Sequence, residues 1–243
     1  MISKTLIATC LLTLTYLNAV AGEPAAELIA TKGDLLFTDD FQRKGLGDWK
    51  VIIPGFRVSD GVLIGTQDRE DHGAVGRVYL PMKDVIVSFR FRLTAPTRFN
   101  VVFDDKNHKG SHAGHICRIA VSPQQIRIGD DKDGIMRNDI FAMRRDPQQK
   151  LAAEKLIQGR GIASKVLIKH DQWHTMQVEI VGQQMCVSLN GRPVGCLQSS
   201  GIAHPTKESL HFTVTGQPVL FDDVKIWRAV SNDRIRGSTT WGS

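Results

Sequence analysis

The chain reads as all-β, a two-layer sandwich of antiparallel strands over residues 34–230 with one short helix inserted near 146–158. Three observations predict it. The first is alternation with period two. In VIVSFRFRL (85–93), Val85, Val87, Phe89 and Phe91 alternate with Ile86, Ser88, Arg90 and Arg92. WHTMQVEIV (173–181) alternates through His174, Met176, Val178 and Ile180, and such a rhythm belongs to strands with one buried face. The second is turn chemistry: Asp60-Gly61 within SDGVLIG and Asn190-Gly191 between two apolar runs are tight-hairpin dipeptides. The third is spacing. MCVSLNG, LHFTVTG and VLFDDVKIW succeed one another as short runs punctuated by Gly, Pro or Asn, the pattern of a sandwich or barrel.

In chain order, residues 1–21 carry the marks of a secretory signal peptide. Lys4 is the one charge, Leu6 to Val20 is an apolar run, and Ala19-Val20-Ala21 precedes Gly22, where cleavage is expected. The run is too short and too polar to span a bilayer comfortably, and no second run of that length follows, so an exported (periplasmic or extracellular) chain without a membrane span is expected. Residues 22–33 read as a short leader and 231–243 as a polar tail that frays. The formal net charge of +6, or +5 without Lys4, is spread along the chain. Arg144-Arg145 and Arg234/Arg236 do not form the basic stripe with stacking aromatics that nucleic acid requires, so no such partner is expected.

Only one stretch breaks the strand rhythm. Asp146 is a capping residue type, Pro147 suits the first helical position, KLAAEKLIQ supplies helix formers and Gly159 a stop. Lys150, Glu154 and Lys155 on this helix read as solvated. Trp49, Trp173 and Trp227 fall in strand patterns and read as core. Export permits disulfides, and Cys186 and Cys196 flank Asn190-Gly191. A three-residue loop (190–192) sets these cysteines opposite each other. A two-residue loop puts them one residue out of register and forbids the bond. Cys117 reads as a buried free thiol.

Titratable chemistry concentrates in FDDKNHKGSHAGHICR, residues 103–118. His108, His112 and His115 follow H-x3-H-x2-H, which on a helix would put two imidazoles on one face. Gly110 and Gly114 lie inside the motif, and each disfavours helix by about 1 kcal/mol. The stretch is therefore a loop joining a strand at 98–104 to one at 115–121. Loop histidines can ligate zinc or another transition metal, but their spacing then carries little information. TQDREDHG (66–73) reads as a charged connection whose His72 joins a cleft if the loop folds over one. DDKDG (130–134) opens like a calcium loop but lacks its closing Glu.

The order DDFQR…GDWKV, FRVSDGVLIG, KDVIVSFRFRL, WHTMQVEIVGQQMCVSLNGRPVG and FDDVKIW resembles the concanavalin A-like sandwich domains of the 3-keto-disaccharide hydrolase family, distant relatives of laminarinase-type glycoside hydrolases. The resemblance covers about residues 34–228. It implies a concanavalin A-like jelly roll of two antiparallel sheets, one concave, with carbohydrate as the ligand class and glycosidic-bond hydrolysis as the activity. Two departures stand out. The Glu-x-Asp-x-x-Glu string of laminarinase-type enzymes is missing, and the Asn-Ser-Gly stretch of the keto-sugar hydrolases is replaced by Arg98 to Asp105. No family catalytic residue is therefore carried over. The alternative reading is a non-catalytic carbohydrate-binding or surface-interaction module.

Keto-sugar cleavage needs a base to take the proton beside the carbonyl and an acid or cation to steady the oxyanion. The candidates for catalysis are Asp104, His108, His112 and His115. Those for holding substrate are Asn100, Lys106, Arg118, Arg127 and His72. Parity supports the grouping: if Phe99, Val101 and Phe103 face the core, Asn100, Val102 and Asp104 face outward, and Arg118 opposes Cys117 and Ile119. Loss of turnover without loss of melting temperature is expected for His115→Ala and for Asp104→Ala. Convergence of the polar residues of 100–118 with His72 in a pocket would favour an enzyme, a flat face a binding module. No cofactor is assigned apart from a structural calcium, suggested by Asp39-Asp40 and Asp222-Asp223 in the first and last strands, with Asp40 and Asp223 as ligands.

Overall fold

The computed structural model describes residues 28–232. The expected signal peptide with its cleavage near Ala21, the first part of the leader and nearly all of the tail lie outside these residues. The strands are β1 (Ala30–Asp39), β2 (Lys50–Ile53), β3 (Phe56–Ser59), β4 (Val62–Gly65), β5 (Ala74–Met82), β6 (Val85–Leu93), β7 (Arg98–Asp104), β8 (His115–Ser122) and β9 (Gln125–Asp130). After two helices come β10 (Gly161–Lys165), β11 (His174–Val181), β12 (Gln184–Leu189), β13 (Arg192–Gln198), β14 (Lys207–Thr215) and β15 (Val219–Ser231).

They form two antiparallel sheets. One runs β13-β12-β11-β6-β15-β4-β3, with β1 pairing on β15; the other runs β10-β9-β8-β7-β14-β5-β2. The arrangement is the expected jelly-roll sandwich. Alternation explains it: the inward positions of β6, β7, β14 and β15 supply Phe89, Phe91, Phe99, Phe212 and Phe221, all buried. Phe212 and Phe221 stack across the sheet interface at 4.1 Å between ring centroids, and Trp49 stacks on Phe212 at 5.3 Å. Each such side chain contributes roughly 2–3 kcal/mol by leaving water. Among the described residues no helix is long and apolar enough to cross a membrane.

Four expectations need revision or gain a reason. The inserted helix is two helices, α1 (Asn138–Arg145) and α2 (Lys150–Leu156). Asp146 caps the end of α1 and turns the chain, its carboxylate accepting from the Gln148 amide at 2.9 Å, so Pro147 lies between helices rather than at the first helical position. Gly159 does stop the segment, with φ +77°. Trp49 is core, but Trp173 and Trp227 are half-buried on the outer face of their sheet, under Arg90 at 4.7 Å and Lys32 at 4.7 Å respectively.

The Cys186–Cys196 disulfide is present although the hairpin loop has only two residues. Leu189 pairs with Arg192 and Ser188 with Pro193, but Val187 pairs with Gly195. Val194 is thus an extra residue, a β-bulge that restores the register and sets Cys186 directly opposite Cys196. Cys117 is the buried free thiol, and burial pushes its pKa up.

β1 begins at Ala30, inside the stretch read as leader. Glu179 explains how it is held. This residue has the outward parity of β11, yet it is buried because its carboxylate accepts hydrogen bonds from the amides of Leu28 (2.8 Å), Ile29 (2.7 Å) and Ala30 (3.1 Å). Glu179→Ala is expected to cost about 2–4 kcal/mol by orphaning buried amides. Urea denaturation measures the loss, and amide exchange at 28–30 should quicken with it.

Candidate functional site

The outer face of the β10-to-β2 sheet holds a cleft of about 780 Å³. Its chemistry lies along one cross-strand rung. Arg77 on β5 pairs with His211 on β14, His211 with Val102 on β7, and Val102 with Arg118 on β8. All four side chains point outward by strand parity and line the cleft. Asp104, one same-face step along β7, is buried beneath them.

Asp104 is the hub. Its Oδ1 accepts from His115 Nδ1 at 2.6 Å, and its Oδ2 from Arg77 Nη2 at 2.8 Å, with His211 Nδ1 also 2.8 Å from Oδ2. A register shift between Phe103 and Asp104 places His115 directly opposite the carboxylate. Burial alone would raise the Asp104 pKa, but the hydrogen bonds from His115 and His211 hold it well below the usual carboxylate range. An ionised carboxylate only accepts, so each imidazole presents an Nδ1–H to it. His211, almost fully buried, has its pKa lowered by that burial. His115 is the more accessible of the two, with 15% of its side chain exposed.

Other groups close the cleft. His72 and Asn100 line it as expected, as do His112 and Arg118. His112 stacks flat on Phe141 of α1 at 4.1 Å, and its pKa is lowered by burial and by the neighbouring His115, Arg145 and Arg118. Arg118 Nε donates to Asp131 Oδ2, whereas its Nη2 is buried with no partner among the described residues. Hence α1, unforeseen in the sequence, supplies a wall through Phe141 and Arg145.

Three sequence candidates lie elsewhere. His108 packs edge-on against His204 at 5.0 Å, outside the cleft. Behind it Asp105 accepts from His204, Thr206 and the Asn107 amide, which against the cost of burial hold its pKa down to about 2. Lys106 is exposed and pairs with Glu208 at 3.6 Å. Arg127 borders a separate chamber under α2. Conversely, Arg77 and His211 were not foreseen. A signal existed for His211: in LHFTVTG it alternates outward against Leu210, Phe212 and Val214, an imidazole where sheet surfaces usually carry Thr or Lys.

Metal-binding capacity follows the same geometry. Among the described residues, Asp104, His115 and His211 form the one group of three whose ligand atoms lie within 4.8 Å of one another. Arg77 already supplies a fixed positive charge there, 2.8 Å from the carboxylate and 3.3 Å from His211 Nδ1. At the expected calcium pair, Asp223 faces Arg90 at 3.4 Å and Lys225 at 4.0 Å, and Asp40 accepts from the Gln42 amide of its own loop. In DDKDG, Asp130 is occupied by Ser199 and Gly201, and Asp131 by Arg118.

The match to a family model makes this jelly-roll sandwich a carbohydrate-active domain, of glycosidase-like or carbohydrate-binding fold. The chain belongs to the family of 3-keto-α-glucoside-1,2-lyase-like domains, the 3-keto-disaccharide hydrolase family, whose pattern matches residues 36–227. No protein with a curated description matches it in sequence. Solved structures share the fold at low identity. A family 66 carbohydrate-binding module from Bacillus subtilis superposes with a TM-score of 0.52 at 10% identity, over 74% of this chain and 95% of that one. A protein of unknown function with a galectin-like fold, also from Bacillus subtilis, gives 0.53 at 15%, over 84% and 100%. A non-specific endo-β-1,3(4)-glucanase of family GH16 gives 0.56 at 11%, over 84% and 94%.

Proposed function

We propose that this chain is an exported enzyme that cleaves 3-keto-glucosides across C1 and C2, with His115 as the base. The supporting observation is the Asp104 hub, which fixes two imidazoles at the floor of a cleft that also gathers His72, Asn100, His112 and Arg118. A ketone at C3 acidifies the proton on C2. His115 Nε2 takes that proton, and the C–H electron pair becomes the C1=C2 bond. The C1–O bond breaks, its pair leaving on the aglycone oxygen, which then takes up a proton. The products are an unsaturated 3-keto sugar and a free alcohol, and later addition of water to the double bond makes the net result hydrolysis. Arg118, with its unpartnered Nη2, steadies the negative charge that grows on the ketone oxygen in the transition state.

Asp104 orients His115 and stabilises the imidazolium formed, while the hydrogen bonds from His115 and His211 keep Asp104 ionised. Incubation with a panel of 3-keto-glucosides and β-glucans is the test. Release of alcohol from the keto-glucosides alone supports the reading, and binding of glycans with no turnover supports the non-catalytic module instead. That second reading is favoured by the absence of any Glu-x-Asp-x-x-Glu string.

The acid–base route also makes a prediction about metal. Dialysis against EDTA is expected to leave turnover of 3-keto-glucosides unchanged, because Arg77 occupies the cationic position at Asp104. Loss of activity that zinc or manganese restores would transfer the role to an ion held by Asp104, His115 and His211.

A further inference from the structure

Beside the cleft, α2 roofs a second chamber of about 270 Å³ that the reaction above does not use. The rung carrying Arg77, His211, Val102 and Arg118 continues into it: Arg118 pairs with Gly129 on β9, and Gly129 with Gly161 on β10. Strands are spaced about 4.8 Å apart, so Gly129 lies roughly 10 Å from Val102, about one sugar ring farther along the sheet. Arg118 lines both spaces and forms their junction. A sugar seated over His115 with C1 turned toward β9 would carry its leaving group onto Gly129.

The floor there is backbone. A Cβ built on Gly129 would meet nothing within 4 Å, and Gly161 adds a second bare position beside it. Ile135 and Ile157 line the chamber, and the exposed Arg127 stands at its edge. A flat floor, an apolar roof and a guanidinium at the rim suit an aromatic ring. Of the polar side chains that line it, Asp130, Glu154 and Arg160 already have protein partners, which leaves Gln158, Arg118 and Arg127 to meet the hydroxyls of a sugar ring.

Leaving-group chemistry points the same way. The carboxylates at this chamber are already engaged. Asp130 is buried and accepts from Ser199, Gly201 and the Asp133 amide, and Glu154 pairs with Arg144 at 3.1 Å. With both carboxylates of the chamber engaged, a leaving group that carries its own negative charge is favoured. A phenol, ionising near pH 10, does so far more readily than a sugar alcohol. We infer that the chamber under α2 seats the leaving group and is built for an aromatic one, so that the preferred substrates are 3-keto-glucosides of phenols. This inference rests on the proposed elimination for its reaction, but not for its ligand.

Two measurements separate the two ideas. The first is the ratio of kcat/KM for 4-nitrophenyl over methyl 3-keto-α-glucoside. The second is equilibrium binding of 4-nitrophenol itself. Gly129→Val fills the floor at a position without positive φ, and Ile157→Trp fills the chamber from the roof. Both are expected to lower the ratio about tenfold or more and to abolish nitrophenol binding, with melting curves recording that each variant folds. The inference is overturned if the ratio is unmoved in both variants, or if kcat/KM for a 3-keto-disaccharide falls in parallel with the aryl substrate, since the chamber would then hold a sugar. Nitrophenol binding that both variants abolish, in a protein that turns over no keto-glucoside, upholds the aromatic chamber and removes the elimination. Turnover of keto-glucosides with no nitrophenol binding does the reverse.

Discussion

His115→Ala is expected to lower kcat on a 3-keto-glucoside about 10³-fold while the melting temperature stays within a few degrees of wild type. The reasoning is local. His115 is partly exposed, and its hydrogen bond runs to Asp104, which keeps Arg77 and His211 when the imidazole is gone. The variant therefore loses the base without stranding a buried charge. Steady-state kinetics and a thermal melt on the same preparation check both halves. A drop of ten degrees with proportionate loss of activity would make His115 a structural residue and leave the elimination without its base.

Asp104→Ala is expected to do more damage, and of a different kind. From the sequence alone it appears beside His115 as a residue whose loss spares the fold. The structure gives it three partners and almost no exposure. Removing the carboxylate leaves Arg77, whose side chain is only 17% exposed, without its acceptor, at a cost of up to about 3–5 kcal/mol. Turnover should vanish and the urea midpoint should fall together. The pH dependence carries the same information. Because the folded-state pKa of Asp104 lies below the ordinary 3.8, its contribution to stability is fully present above that value and is lost as pH falls toward the folded pKa. Asp104→Asn should accordingly flatten the acid limb of the stability curve, and unfolding free energies at pH 7 and below pH 4 should differ less than in wild type.

Which parts of this molecule could be read from its residues follows from the range of the interactions involved. β6 has the bounds 85–93 that the alternation implies, and the loop between β7 and β8 falls where Gly110 and Gly114 put it. These are consequences of neighbours in sequence. His72, Asn100, His112, His115 and Arg118 meet in one cleft, as parity and loop placement suggest. Arg77 and His211 were invisible as partners because 134 positions separate them, and period two does not say which strands lie side by side. The same ignorance of pairing left the disulfide open, since the register depends on one bulged residue, Val194. α1 escaped notice because its anchoring is thin: Ile140 is its one buried residue, too little for a helical stripe. Glu179 takes the outward parity of β11, and its burial comes from the amides of residues 28–30, about 150 positions away.

The rung that links Arg77, His211 and Arg118 also fixes when the site can exist during synthesis. β14 is the strand that sits between β5 and β7, and it is made after both. A nascent chain that ends before it holds the base and its carboxylate on adjoining strands but neither His211 nor the route from Arg77 to Asp104. Completion of the rung is thus reserved for a chain that has closed the long-range pairing of β5 with β14, and a one-residue slip of β14 would turn His211 into the core and bring Phe212 out in its place.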